Sequence, residues 1–76
     1  MEYKTSDIIL AAVLRLQGHA LEGIECVGSK GTFIFANVSS DFITEYDLGQ
    51  VLVEPVSFHN AIKQLTTSVR RMVNKN

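Results

Sequence analysis

Cys26, His19 and His59 are the residues best suited to nucleophilic chemistry in this chain. A thiolate nucleophile needs a base beside it, and the base needs an orienting group, all in one pocket. Cys26 stands between Ile24 and Val27, with no cysteine-protease context around it. A thiol in such a segment reads as a small core hydrophobe. His19 follows a helix-ending glycine and reads as an exposed loop residue. His59 falls in the first turn of a helix, on its polar side. A metal site would need His19, Cys26, His59 and Glu22 or Glu25 to converge. Their spacing matches neither a zinc knuckle nor two ligands one helical turn apart. Glu22 and Glu25, three apart on one strand, tend to face opposite ways. Asp41 and Glu45, at i and i+4, share a face near a helix start, where negative charge is favoured. Gly28-Ser29-Lys30-Gly31 lacks the spacing of a phosphate-binding loop and joins two strands rather than a strand and a helix. The expectation is a non-enzymatic protein with no catalytic residue, no metal ligand and no cofactor.

Two patterns carry more information. Between Ile8 and Gln17 only Arg15 is charged, whereas an amphipathic helix of a small domain normally shows a polar stripe. Either this helix is sandwiched between the sheet and the last helix, or one side meets another subunit. The second alternative makes Leu10 and Leu14 candidate dimer-interface residues and the protein a homo-oligomer, most simply a dimer. The other pattern is a basic stripe near the end of the chain. At about 100° per residue, Lys63, Thr67, Arg70 and Asn74 fall within about 60° of one another, with Arg71 adjacent. Lys63, Arg70 and Arg71 are the candidate partner-binding residues, for phosphates or for an acidic surface. No aromatic residue accompanies them, which argues against single-strand recognition by stacking.

The elements that must position these residues are short and punctuated by glycine and proline. A first helix runs from Ile8 to Gln17, capped by Thr5 or Ser6, with Asp7 near its positive end and Gly18 ending it. Tyr3 is placed to pack back on its first turn. Ala20 to Val27 and Thr32 to Val38 read as two strands joined by a glycine-flanked tight turn. Phe33 and Phe35 share one face of the second. Ser39-Ser40-Asp41 signals a short helix that Gly49 ends. Val51-Leu52-Val53 is a third short strand or an extended segment, closed by Pro55. Ser57 opens the last helix, whose stripe is Phe58, Ala61, Ile62, Leu65, Val69, Met72 and Val73. Asn74 to Asn76 are expected to fray. The fold class is α+β, in the order α-β-β-α-β-α: a small antiparallel hairpin packed against an N-terminal and a C-terminal helix.

Length and charge bound the rest. A chain of 76 residues is one domain, 1–76, and its net charge of -1 gives no general attraction to nucleic acid or anionic lipid. One cysteine excludes an internal disulfide, which fits a reducing compartment. The first residues lack a signal-peptide layout, and the longest apolar run, Ile8 to Leu14, falls short of the roughly 20 residues of a membrane span. A cytoplasmic protein with no membrane partner is expected.

Tyr3-Lys4-Thr5-Ser6-Asp7, then Leu10-Ala11-Ala12 and Gly18, then Phe33-Ile34-Phe35, and Val53-Glu54-Pro55 before Phe58 and Ala61, together resemble an uncharacterised family of small bacterial and phage proteins, a domain of unknown function. The resemblance spans most of the chain and rests on caps, glycines and core aromatics. It implies a small α+β fold and a mobile-element setting, and it carries over no catalytic residue. The function expected is that of a self-associating interaction or accessory protein. The second reading is a nucleic-acid-binding module that uses the basic helix face.

Overall fold

The computed structural model describes residues 2–28 and 30–73. The elements are β1 (Glu2–Thr5), α1 (Ile8–Leu16), β2 (Leu21–Val27), β3 (Lys30–Ala36), α2 (Ser40–Asp47) and α3 (Pro55–Val73). The fold is α+β, but its order is β-α-β-β-α-α rather than α-β-β-α-β-α. The hairpin residue Ser29 and the expected fraying of Asn74 to Asn76 lie outside the described residues.

Each helix begins where a side chain satisfies the free N–H groups of the first turn. For α1 this is Asp7, not Thr5 or Ser6: its Oδ1 accepts from the Ile9 and Leu10 N–H groups at 3.0 and 3.4 Å. Thr5 orders the approach instead, its hydroxyl accepting from the Asp7 N–H at 3.1 Å. For α2 the cap is Ser39, whose hydroxyl accepts from the Phe42 N–H at 3.1 Å. For α3 it is Glu54. Its carboxylate accepts from the Val56 and Ser57 N–H groups at 2.9 and 2.8 Å and from the Ser57 hydroxyl at 3.0 Å. Ser57 therefore does not open α3, and Pro55 does not close a strand. Pro55 is the first helical residue, where its missing N–H costs nothing and its fixed φ suits the helix. At the other end of α1, Gly18 adopts φ 89°. Its N–H donates to the Arg15 carbonyl and the His19 N–H to the Leu14 carbonyl, both at 3.1 Å, a closure that a left-handed glycine permits.

The sheet is antiparallel, in the order β1-β3-β2. The β2–β3 hairpin forms, but Lys30 and Gly31 belong to β3 rather than to the turn, and β3 ends at Ala36 rather than Val38. The third strand is not Val51-Leu52-Val53. That segment has no strand partner, and Leu52 is 87% exposed. The third strand is β1, which pairs with β3 so that Tyr3 lies opposite Phe35 and Thr5 opposite Phe33. Tyr3 thus packs on the core from the sheet rather than as a staple on the first turn.

All three helices lie on the face that carries Phe33 and Phe35, which are 2% and 0% exposed. Leu10, Ala11, Ala12, Val13 and Leu14 of α1 are all buried. Ala61 and Leu65 of α3 join them, and Phe42, Ile43 and Tyr46 of α2 pack against the cluster. The apolar stretch Leu10 to Leu14 is therefore covered within one chain, while Ile9 and Leu16 stay 49% and 37% exposed. Leu10 and Leu14, at 4% and 0% exposure, are core residues and offer no surface to a second copy. No helix among the described residues is long and apolar enough to cross a membrane.

One close approach seats α3. A Cβ on Gly31 of β3 would lie 2.8 and 3.2 Å from the two methyl carbons of Val69. Val69 is β-branched and stiff at χ1, so it cannot swing aside. Gly31→Ala is expected to lift α3 and destabilise the fold by about 1–3 kcal/mol, the usual cost of overpacking. Chemical denaturation of the purified variant checks this, and an unchanged midpoint would contradict it. A second expectation concerns acid. Hydrogen bonds from the Val56 N–H, then from the Ser57 N–H and hydroxyl, hold the Glu54 carboxyl below the usual glutamate range. A lowered pKa favours the carboxylate in the folded state. The cap therefore supports the fold above the ordinary carboxylate pKa and fades as pH falls through the lowered value. An NMR titration should give Glu54 a midpoint below that of a free glutamate, with the Val56 and Ser57 amides shifting in step.

Candidate functional site

α1 and α3 run antiparallel. Leu16 and Gln17 at the end of α1 meet Glu54 and Ser57 at the start of α3, and Ser6 and Ile8 lie by Thr66 and Arg70 near its end. Between the two helices an open groove of about 470 Å³ is lined by Arg15, Lys63, Gln64, Thr67, Ser68 and Arg71. Three cations from two helices thus share one depression, and no carboxylate lines it. Arg15, Lys63 and Arg71 are all exposed. Among the described residues the only ion pair is Lys4–Glu25, at 3.6 Å on the sheet, so the groove cations have no acidic partner there. Gln64 and Thr67 add an amide and a hydroxyl. The Ser68 hydroxyl donates back to the Gln64 carbonyl at 3.0 Å.

Local physics explains part of this arrangement. Arg15 stands in the last turn of α1, and Arg70 and Arg71 in the last turn of α3, where the negative end of each helix dipole favours a cation. Lys63, in the middle of α3, owes nothing to a helix end. Antiparallel packing then brings the α1 cation to the α3 stripe.

The structure divides the residues that the helical wheel groups together. Lys63 and Arg71 face the groove toward α1. Arg70 turns to the opposite flank of α3, where with Lys30 it borders a depression floored by Ile8, Gly31 and Val69. Arg15 is the groove residue that the periodicity of α3 could not supply. Its signal in the sequence is its being the lone charge in an apolar helix.

The nucleophilic candidates do not form a cluster around a cavity. Cys26 is half-buried on β2, opposite Gly31 of β3. His19 is not the exposed loop residue expected: it is half-buried, with its ring centroid 5.7 Å from that of Phe42. His59 is exposed on α3. None of the three lines any of the four depressions described on the surface. Among the described residues no three of His, Cys, Asp and Glu gather in a way that could hold a metal ion. Tyr46 of α2 reaches the cap of α1: its hydroxyl donates to Asp7 Oδ2 at 3.4 Å. Burial, and then the negative charge of Asp7, push the Tyr46 phenol above its ordinary pKa.

A scan against protein-family models, a search of curated proteins and a search of solved structures each return no match to this chain.

Proposed function

We propose that this protein is a non-enzymatic interaction module that holds an acidic protein surface in the groove between α1 and α3. The observation that carries the reading is the convergence of Arg15, Lys63 and Arg71 on one depression with no carboxylate on its wall. A cation on a solvated surface is commonly offset by a nearby acid. Three that share a groove without one create a local positive potential on a chain whose net charge is only -1. The arginine guanidinium forks suit carboxylates, which they can bind in bidentate fashion. Gln64 and Thr67 supply neutral hydrogen-bonding groups between the charges. The single cysteine, which can form no internal disulfide, supports a reducing compartment for this activity.

A second reading, binding of nucleic acid, draws on Arg70 and Lys30. They extend positive charge around the other flank of α3. Against it stand Asp41, Glu45 and Asp47 on or beside the exposed face of α2, which repel a long polyanion that reaches them.

Fluorescence anisotropy with a labelled glutamate-rich peptide and, separately, a labelled duplex oligonucleotide tests both readings. The peptide should bind at low salt. The combined variant Arg15→Ala, Lys63→Ala, Arg71→Ala should weaken it at least about tenfold, with the fold intact, since exposed substitutions shift stability by no more than roughly 0.5 kcal/mol each. The duplex should bind no more tightly than about 10 µM at physiological salt. Peptide binding unaffected by the triple substitution would remove the groove as the site. Tight, salt-sensitive duplex binding would promote the nucleic-acid reading above it.

A further inference from the structure

The groove has a counterpart on the same molecule. On α2, Asp41 and Glu45 stand at i and i+4 and Leu48 follows at i+7, so the three form one stripe within about 60°. All three are exposed, as are Thr44 and Asp47, and Leu48 keeps 66% of its surface in water. No residue of α2 is fully buried, and among the described residues none of its acids is ion-paired. Asp41 and Glu45 are about 6 Å apart along α2, so both fit within the roughly 12 Å that separates Lys63 from Arg71 along α3. Within one molecule the two surfaces do not meet. The inner side of α2, Phe42, Ile43 and Tyr46, is packed on the core, so its acidic stripe points outward.

We infer that the occupant of the α1/α3 groove is α2 of a second copy of this chain. Asp41 and Glu45 pair there with Arg15, Lys63 and Arg71. The inference rests on the groove reading above and names its partner. It relocates self-association from Leu10 and Leu14, which the core occupies, to two polar surfaces of opposite charge. Exposed ion pairs are individually weak and are screened by salt. The association is therefore modest, and it dissolves as ionic strength rises.

Charge reversal tests this directly. Sedimentation of the wild type at about 50 mM salt should show mass rising above the monomer as concentration approaches about 1 mM, and the rise should disappear near 500 mM salt. The groove variant Lys63→Glu, Arg71→Glu and the helix variant Asp41→Lys, Glu45→Lys should each remain monomeric, and their mixture should regain a 1:1 complex. A charge-matched control, Glu22→Lys with Glu25→Lys on β2, at the sheet edge opposite β1, leaves the groove and α2 intact and should associate as the wild type does. A wild type that is monomeric throughout, reversals that leave association unchanged, a mixture that stays monomeric, or a β2 control that loses association as the reversals do would each overturn the inference. The glutamate-rich peptide separates this failure from that of the groove itself. If the Asp41→Lys, Glu45→Lys variant binds the peptide as the wild type does while the wild type stays monomeric, the groove stands and only the second copy falls. If peptide and second copy both fail to bind, the groove reading falls with it.

Discussion

The burial of α1 dictates the architecture. Five consecutive residues, Leu10 to Leu14, lie out of water, and five consecutive positions sweep the whole circumference of a helix at about 100° per residue. A helix stretch apolar all round must be covered all round. Here Phe33 and Phe35 of β3, Ala61 and Leu65 of α3, and Phe42, Ile43 and Tyr46 of α2 gather in one cluster with it, while Arg15 and Ile9 reach solvent. Ala11 and Ala12, both fully buried, keep the helix thin where its neighbours close in. A chain of this size has little apolar surface to spare, and grouping it around one short helix is how it assembles a core. The three elements that cover α1 then leave their other sides to solvent, and those sides are where charge accumulates.

The fold was legible in the sequence wherever a local signal coincided with a local cause. Phe33 and Phe35 alternate with Ile34, and the structure buries the pair on one face. Gly18 and Gly49 end helices with φ of 89° and 73°. Ser39 caps α2. The misses were those in which a tertiary partner decided the outcome. Glu-Tyr-Lys-Thr has no run of β-branched residues, and it becomes a strand because β3 offers a free edge at the right register. Val-Leu-Val has the composition of a strand, yet it pairs with neither outer strand and remains irregular between α2 and α3. Glu54 as a cap was hidden because its longer side chain makes the contact usually given by Ser, Thr, Asp or Asn, and because a serine three residues on looked the better start.

The candidate site was half legible for the same reason. Helical periodicity could place Lys63, Arg70 and Arg71 on one exposed region of a single helix. It could not say that Arg15, some fifty residues earlier in the chain, faces the same groove. That follows only from the antiparallel packing of α1 on α3. Nor could it separate Arg70 from Arg71. On the wheel they lie about 100° apart, and only the direction of the core decides that one borders β3 and the other α1.

That direction is set by the contact between Val69 and Gly31. Val69 immediately precedes the two arginines and meets β3 where a single Cβ would intrude. Its seat on the strand fixes the rotation of the C-terminal half of α3 about its own axis, and the rotation fixes the divergence of Arg70 and Arg71 to opposite flanks. At the other end of α3, the Glu54 carboxylate fixes where the helix begins, and with it the position of Lys63 along the groove. The basic surface is thus positioned by two uncharged or oppositely charged features outside it. A substitution at either would move the cations relative to Arg15 without touching any of them. The packing that buries the core and the geometry of the groove are in this sense one constraint: α3 cannot shift to relieve the first without taking the second apart.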